Sequence, residues 1–270
     1  MDETPWAELL HLSKSQLTTY LQCSQRYQYQ YVLSVPWEVM PAPLLFGRAM
    51  HRAVAFYYQR KQAGLDVTCE DLEALFHHAW DHEKGDLPLR GMRGATEEML
   101  RAQGQELLRC FTAQVTPWRI DAVEKPFVVD LVDPDTGVIL PVKLVGVIDL
   151  LESDDEGNVI VSELKTSARK YTEQQGENQL DGAVYGYAMQ QLGVSTTPEQ
   201  VLIRFDVLVK TKAPQFEQYY FTKDTTDFRK FLRLATKVVR AIDLDVFLPH
   251  EGWYCATCPF QKRCTQDQRR

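Results

Sequence analysis

The sequence predicts an α/β domain in which a central mixed β-sheet is flanked by helices. Residues 142–165 carry most of that expectation: two apolar, β-branched runs flank a polar tetrapeptide, Asp154-Asp155-Glu156-Gly157. That is the pattern of a buried strand, a tight turn and a second buried strand. Stretches of helical spacing stand on either side of the hairpin, at 47–62 and 179–192, and another apolar run at 201–209 supplies a further strand.

Taken in order, the chain opens on a short helix after Ser13 or Ser15, either of which suits an N-cap. Leu17, Tyr20 and Leu21 repeat at helical spacing, and the helix is expected to end near Cys23. Arg26, Tyr27, Tyr29 and Tyr31 form an aromatic, basic strip read as core packing, with base stacking the alternative. A loop follows at 36–43, then a helix at 47–62 carrying His51, with Val54, Ala55 and Tyr58 along its face. Residues 71–117 read as polar and helical, broken by Gly85, Pro88 and Gly91, with His77, His78 and His82 as exposed helix residues. Strands return at 122–140 around a turn at Asp133, with Glu124 at the head of the first. Glu124 is a metal-site candidate of second rank and fits a salt bridge better. After the central hairpin come a polar loop (166–177), an amphipathic helix (179–192) with Gln179, Tyr185 and Tyr187, strands at 201–209 and 216–221, and a basic helix at 227–244.

Length and composition narrow the classes. At 270 residues the chain holds one large domain, and its 44% hydrophobic and 25% charged content is that of an ordinary soluble globule. No apolar run approaches the roughly 20 residues of a membrane helix. The N-terminus lacks the basic start of a signal peptide, so a cytoplasmic protein without membrane association is expected. A net charge of −7 argues against a protein that coats phosphate backbones.

Charges do not belong inside buried strands unless they are paired or bound. Asp149 interrupts the first strand of the hairpin, and Glu163 and Lys165 interrupt the second. Strand side chains alternate faces, so Glu163 and Lys165 share one side. Pairing around the turn lets Asp149 approach Glu163. Two carboxylates and an ammonium on one patch suit a hard divalent cation and a lysine acting on its water; the alternative is a solvated salt bridge.

Six cysteines are present. Cys255, Cys258 and Cys264 form a run too compact for independent disulfides, and they supply three ligands where a tetrahedral zinc or an iron–sulfur cluster needs four. Cys23, 232 residues (255 − 23) upstream, is the candidate fourth. Spacing leaves zinc and iron both open. Cys69 and Cys110 read as plain buried or half-buried thiols.

The order Gly146-x-Ile148-Asp149, then Glu163-x-Lys165, resembles the signature of the PD-(D/E)XK nuclease superfamily. Gly47 and His51 resemble the Gly-x-x-x-His helix of RecB-type nucleases, and the four cysteines bracketing the core are similar to those of the iron–sulfur branch of that family, which includes AddB-type nucleases and CRISPR adaptation exonucleases.

The resemblance implies a restriction-endonuclease-like core at 44–220 with a helical insertion at 71–117. It also implies an iron–sulfur subdomain built from 12–35 and 245–270, all within one nuclease domain. It implies Mg²⁺ or Mn²⁺ on His51, Asp149, Glu163 and the Leu164 carbonyl, Lys165 acting on water or phosphate, and a structural [4Fe-4S] cluster on Cys23, Cys255, Cys258 and Cys264. The substrate it implies is DNA, as single strands or ends, with a helicase or CRISPR adaptation protein as a possible partner. Family members carry glutamine and tyrosine on the helix after the lysine, often four apart; here Gln179 precedes Tyr185 by six and Asp181 stands four before it. A cleavage-deficient DNA-binding subunit and a zinc-stapled interaction protein are the alternatives.

Overall fold

A computed structural model describes residues 10–195, 197 and 200–269; the N-terminal residues read for a leader lie outside them. Strand β1 (His11–Ser13) runs into α1 (Lys14–Gln22), where Ser13 and Gln16 close a capping box and Cys23 is the C-cap. Helix α2 (Ser24–Tyr27) continues into a π-helical turn over Gln28–Val32. The tyrosine strip is therefore helical and partly core: Tyr27 and Tyr29 are buried, Tyr27 against Tyr20 and Phe247, Tyr29 against Phe260.

The expected loop at 36–43 is shorter than its sequence suggests. Strand β2 (Met40–Pro41) leads directly into α3 (Ala42–Gln62), with Pro43 in its first turn. A proline is tolerated there because the first helical N–H groups have no partner in any case. The stretch at 71–117 is α4 (Cys69–Lys84), β3 (Leu89–Arg90) and α5 (Glu97–Gln114), α4 ending where Gly85 adopts a positive φ of 50°. Its polar exterior hides Leu72, Phe76, Trp80, Leu107, Leu108 and Phe111, which pack with α3 into one of two cores.

The sheet begins with the long hairpin of β4 (Arg119–Val132) and β5 (Ile139–Ser153), followed by β6 (Val159–Ser167). Helix α6 (Glu173–Glu177), capped by Thr172, occupies part of the expected polar loop, and α7 (Leu180–Gln191) follows. Strands β7 (Val201–Val209) and β8 (Gln215–Phe221), then α8 (Thr225–Asp243), complete the core, and α9 (Gln261–Asp267) lies near the C-terminus. The sheet is mixed, as expected: β1 pairs parallel and β4 and β6 antiparallel with β5, β7 lies parallel to β6, and β8 closes the edge antiparallel. Helices α3–α5 cover one face, and α7 and α8 the other.

Helix α7 departs from its expected amphipathic character. Residues 181–189 are all buried, because the helix is enclosed between the sheet and α8. Chain ends meet: the Gln25 amide donates to the Leu248 carbonyl at 3.2 Å, and the Tyr20 hydroxyl to the Val246 carbonyl at 2.6 Å. Among the described residues no helix is long and apolar enough to cross a membrane.

Candidate active site

Strand β5 is the hub. Strand β4 follows one edge across positions 143–153, so β1 (opposite 143–145) and β6 (opposite 150–153) must share the other. Between those two partners the edge is open, and Asp149 stands at its end. The β5–β6 ladder runs from Ser153 and Val159 to Leu150 and Ser162 and stops one pair short of Asp149 and Glu163. There the Asp149 carboxylate replaces a backbone partner: its Oδ2 accepts the Leu164 N–H at 2.9 Å. Side-chain alternation slips at the same point, since Ile148 packs into the core under α7 and Leu150 into the core under α3. Across the hairpin, Glu124 holds a left-handed φ of 48° in mid-strand. Such conformations cost energy and cluster at functional sites.

The slip admits a group from the helical layer. His51 of α3 places Nδ1 3.2 Å from Asp149 Oδ2. Desolvation disfavours the imidazolium, but the charge and hydrogen bond of Asp149, with the charge of Glu163, together outweigh it and raise the His51 pKa. Burial, then the neighbouring charge of Glu163, pushes the Asp149 carboxyl above its ordinary range. Glu163 goes the other way: burial opposes its charge, but Lys165 and Lys14 hold its pKa well below the usual value.

Around Glu163 lies a ring of alternating charge. Its Oε1 accepts from Lys165 at 2.9 Å and from Lys14 at 3.2 Å, and its Oε2 from the Tyr185 hydroxyl at 2.7 Å. Asp181 Oδ1 accepts from Lys14 at 2.7 Å and also from Lys165. Gly146 has a separate duty. A Cβ there would lie 2.6 Å from the ring of Phe127, which packs edge-on against Tyr185 with centroids 6.3 Å apart. The glycine thus lets Phe127 support the tyrosine that holds Glu163.

The structure therefore brings together His51, Asp149, Glu163, Leu164, Lys165 and Tyr185. Gln179 is not among them: it is the N-cap of α7 and lines a surface pocket with Lys223 and Asp227. Tyr187 donates to the Asp130 carbonyl at 2.7 Å, a packing role. Glu124 lines a small pocket with His51 and Asp149 while pairing with Arg52 at 3.5 Å. Sequence reasoning missed Lys14 and Asp181. Asp181 did carry a signal, since positions four apart share a helix face and Tyr185 follows it by four; Lys14 carried none.

The donor chemistry fits a divalent cation, because the Asp149 carboxylate stands 3.2 Å from an imidazole nitrogen and close enough to Glu163 for that carboxylate to raise its pKa. In the present arrangement Glu163 faces the lysines and Tyr185, and among the described residues no three His, Cys, Asp or Glu side chains close around a point that could hold a metal ion. The cysteines follow a similar pattern. Cys23, Cys255, Cys258 and Cys264 all line one cavity of about 360 Å³, but as free thiols they do not close into a metal-binding group either. Burial raises the Cys258 and Cys264 thiol pKa values, and the neighbouring cysteines add to the rise. Cys69 and Cys110 lie elsewhere, Cys69 against Glu73 and Cys110 against the Pro214 carbonyl.

A mixed sheet with an opened hairpin presenting Asp, Glu-x-Lys and a helix-borne histidine defines a class of phosphodiester-cleaving folds. The family model for the PD-(D/E)XK nuclease superfamily matches residues 11–265, and the chain belongs to that superfamily. Among solved structures, the chain is similar to a protein named "Putative exonuclease" from Eubacterium rectale, at 12% identity and a TM-score of 0.54, covering 96% of this chain and 91% of that one. That likeness shows the shared fold. The structure of SSO0001 aligns over 90% of this chain and 94% of its own at 13% identity, with a TM-score of 0.39. No curated protein sequence matches the chain.

Proposed function

We propose that the chain is a divalent-metal-dependent deoxyribonuclease of the RecB-like iron–sulfur branch, acting on single strands or DNA ends. The observation that carries this reading is the opened end of the β5–β6 hairpin, where Asp149 and Glu163 meet His51 and Lys165. Asp149, Glu163, His51 and the Leu164 carbonyl hold Mg²⁺ or Mn²⁺, which supplies Lewis-acid stabilisation and a more acidic water. His51 presents its ring to the site from α3, and the Leu164 amide fixes the Asp149 carboxylate. Lys165, held by Glu163 and Asp181, orients the attacking water and offsets charge developing on the phosphate. Tyr185 fixes the Glu163 carboxylate from beneath.

Cys23, Cys255, Cys258 and Cys264 hold a [4Fe-4S] cluster in this reading, supported by their convergence on one cavity. The cluster staples the two chain ends, closing a long loop where closure is entropically most valuable. A cleavage-deficient DNA-binding role is disfavoured by the completeness of the group at the opened hairpin, where His51, Asp149, Glu163 and Lys165 all stand together.

The test is cleavage of end-labelled single- and double-stranded DNA by anaerobically purified protein, with Mg²⁺ or Mn²⁺ and with chelator. Metal-dependent loss of terminal nucleotides and a brown protein with about four irons per chain are expected. Absence of cleavage with either metal overturns the nuclease reading; a colourless protein with stoichiometric zinc overturns the cluster.

A further inference from the structure

Lys14 is far from the hairpin in sequence, lies outside the superfamily's named motif, and nevertheless reaches the centre of the site. It is the first residue of α1, a helix with no acidic residue in its first turn. A cation at that end opposes the helix dipole, so its placement needs another reason. Its Nζ lies 2.7 Å from Asp181 Oδ1 and 3.2 Å from Glu163 Oε1, and Lys165 binds the same two oxygens. Of the two lysines Lys14 is the more exposed, at 25% against 16% for the side chain.

We propose that Lys14 is a positioning residue of the active site, which shares Asp181 with Lys165 and so keeps the Lys165 ammonium on Glu163 and the reacting water. The reasoning is charge balance. Asp181 is buried, so its single negative charge requires a cation. With Lys14 present, that demand is divided between two ammonium groups. Without it, Lys165 becomes the sole counter-ion of Asp181 and is drawn off Glu163. Lys14 also places a positive charge against the carboxylate proposed to hold the metal, so it weakens metal binding while supporting turnover. A purely structural lysine would not separate those two effects.

This inference rests on the nuclease reading above, and its experiment keeps the two apart. Lys14→Met, Lys14→Arg and Lys14→Met/Asp181→Asn proteins are compared with the wild type in kcat and in Mn²⁺ affinity measured by calorimetry without DNA. Lys14→Met is expected to lower kcat roughly 10–100-fold, to bind Mn²⁺ several-fold more tightly, and to melt near the wild-type temperature. Lys14→Arg should retain most of the rate. The double variant should recover much of what Lys14→Met loses, because the carboxylate that draws Lys165 off Glu163 is gone. Wild-type kcat in Lys14→Met, or a rate and Mn²⁺ affinity that fall together with the melting temperature and are not restored in the double variant, overturns the inference. If the wild type cleaves no DNA the nuclease reading fails, and an unchanged or weakened Mn²⁺ affinity in Lys14→Met then overturns the role of Lys14 as well.

Discussion

Strands β6 and β7 carry a buried ionic group on each face, and the two groups behave differently. Under α7 lie Glu163 and Lys165 with Asp181 and Lys14; under α3 lie Ser162, Arg204 and Asp206 with Glu152 and Tyr58. In the second group Arg204 donates to Asp206 through Nε at 2.9 Å and pairs with Glu152 at 2.6 Å. Its side chain is 1% exposed and that of Glu152 not at all. Gln218 and the Trp118 amide satisfy further oxygens, and the Arg204 Nη1 nitrogen is buried without a partner. Burial of ions does not by itself mark a reactive site. What separates the groups is exposure: the first reaches solvent through its lysines, whereas Arg204 and Glu152 are enclosed and only Tyr58, Ser162 and Asp206 line the small pocket that holds His51 and Asp149. The first is therefore expected to govern rate and the second stability.

The comparison is broken most severely at Asp149. Asp149→Asn removes the charge of a proposed metal ligand and should lower cleavage by on the order of 10³-fold or more, equivalent to several kcal/mol of transition-state stabilisation, with little change in melting. A steady-state assay at saturating Mn²⁺ beside a thermal melt checks it. On the sealed face, Glu152→Ala leaves Arg204 with one fewer anion and should destabilise the fold by about 3–5 kcal/mol. Cleavage per folded molecule should be retained, as measured by denaturant unfolding and by activity well below the melting temperature. Loss of rate without loss of stability in that variant would erase the distinction between the faces.

A pH series sharpens the first group further. As a ligand, His51 must be neutral, so protons compete with metal. Its pKa is raised, because Asp149 and Glu163 together outweigh desolvation, so competition extends above the usual histidine range near 6.5. Apparent Mn²⁺ affinity should rise with pH through that region, by up to about tenfold per unit for one competing proton. His51→Gln should flatten the profile; an unchanged profile would remove His51 from the ligand set. The smallest effect belongs to Gln179. It stands at the N-cap position of α7 without a side-chain capping bond and lines a pocket with Lys223 and Asp227, so Gln179→Ala should change kcat by less than about twofold and stability by under about 0.5 kcal/mol.

The reach of sequence reasoning follows the range of each interaction. Glu163 and Lys165 were readable from strand alternation, and Asp149 from the turn that returns β6 to β5. These are local rules acting over a few residues. Lys14 contacts Glu163 and Asp181 across 149 and 167 residues, so no periodicity announces it. Arg204 and Asp206 went unread although they are charges inside an apolar strand, and the further partner that explains them, Glu152, lies on another strand. Helix α7 misled because the small residues Gly182, Ala183, Gly186 and Ala188 look neutral in an amphipathic pattern. They serve to bring the sheet and α8 close, and a Cβ on Gly186 would lie 2.9 Å from the Phe228 ring. The slip at Asp149 arises from paired strands, including the left-handed Glu124, which residue preferences do not encode.

The most direct test of the account is the DNA cleavage rate of Glu163→Gln at saturating Mn²⁺, read beside its melting temperature. Glutamine keeps the shape and can still meet Tyr185, but it removes the charge that both lysines pair with and that the proposed metal requires. The account predicts a folded protein with cleavage at the limit of detection. A folded Glu163→Gln protein that cleaves DNA at the wild-type rate would contradict it.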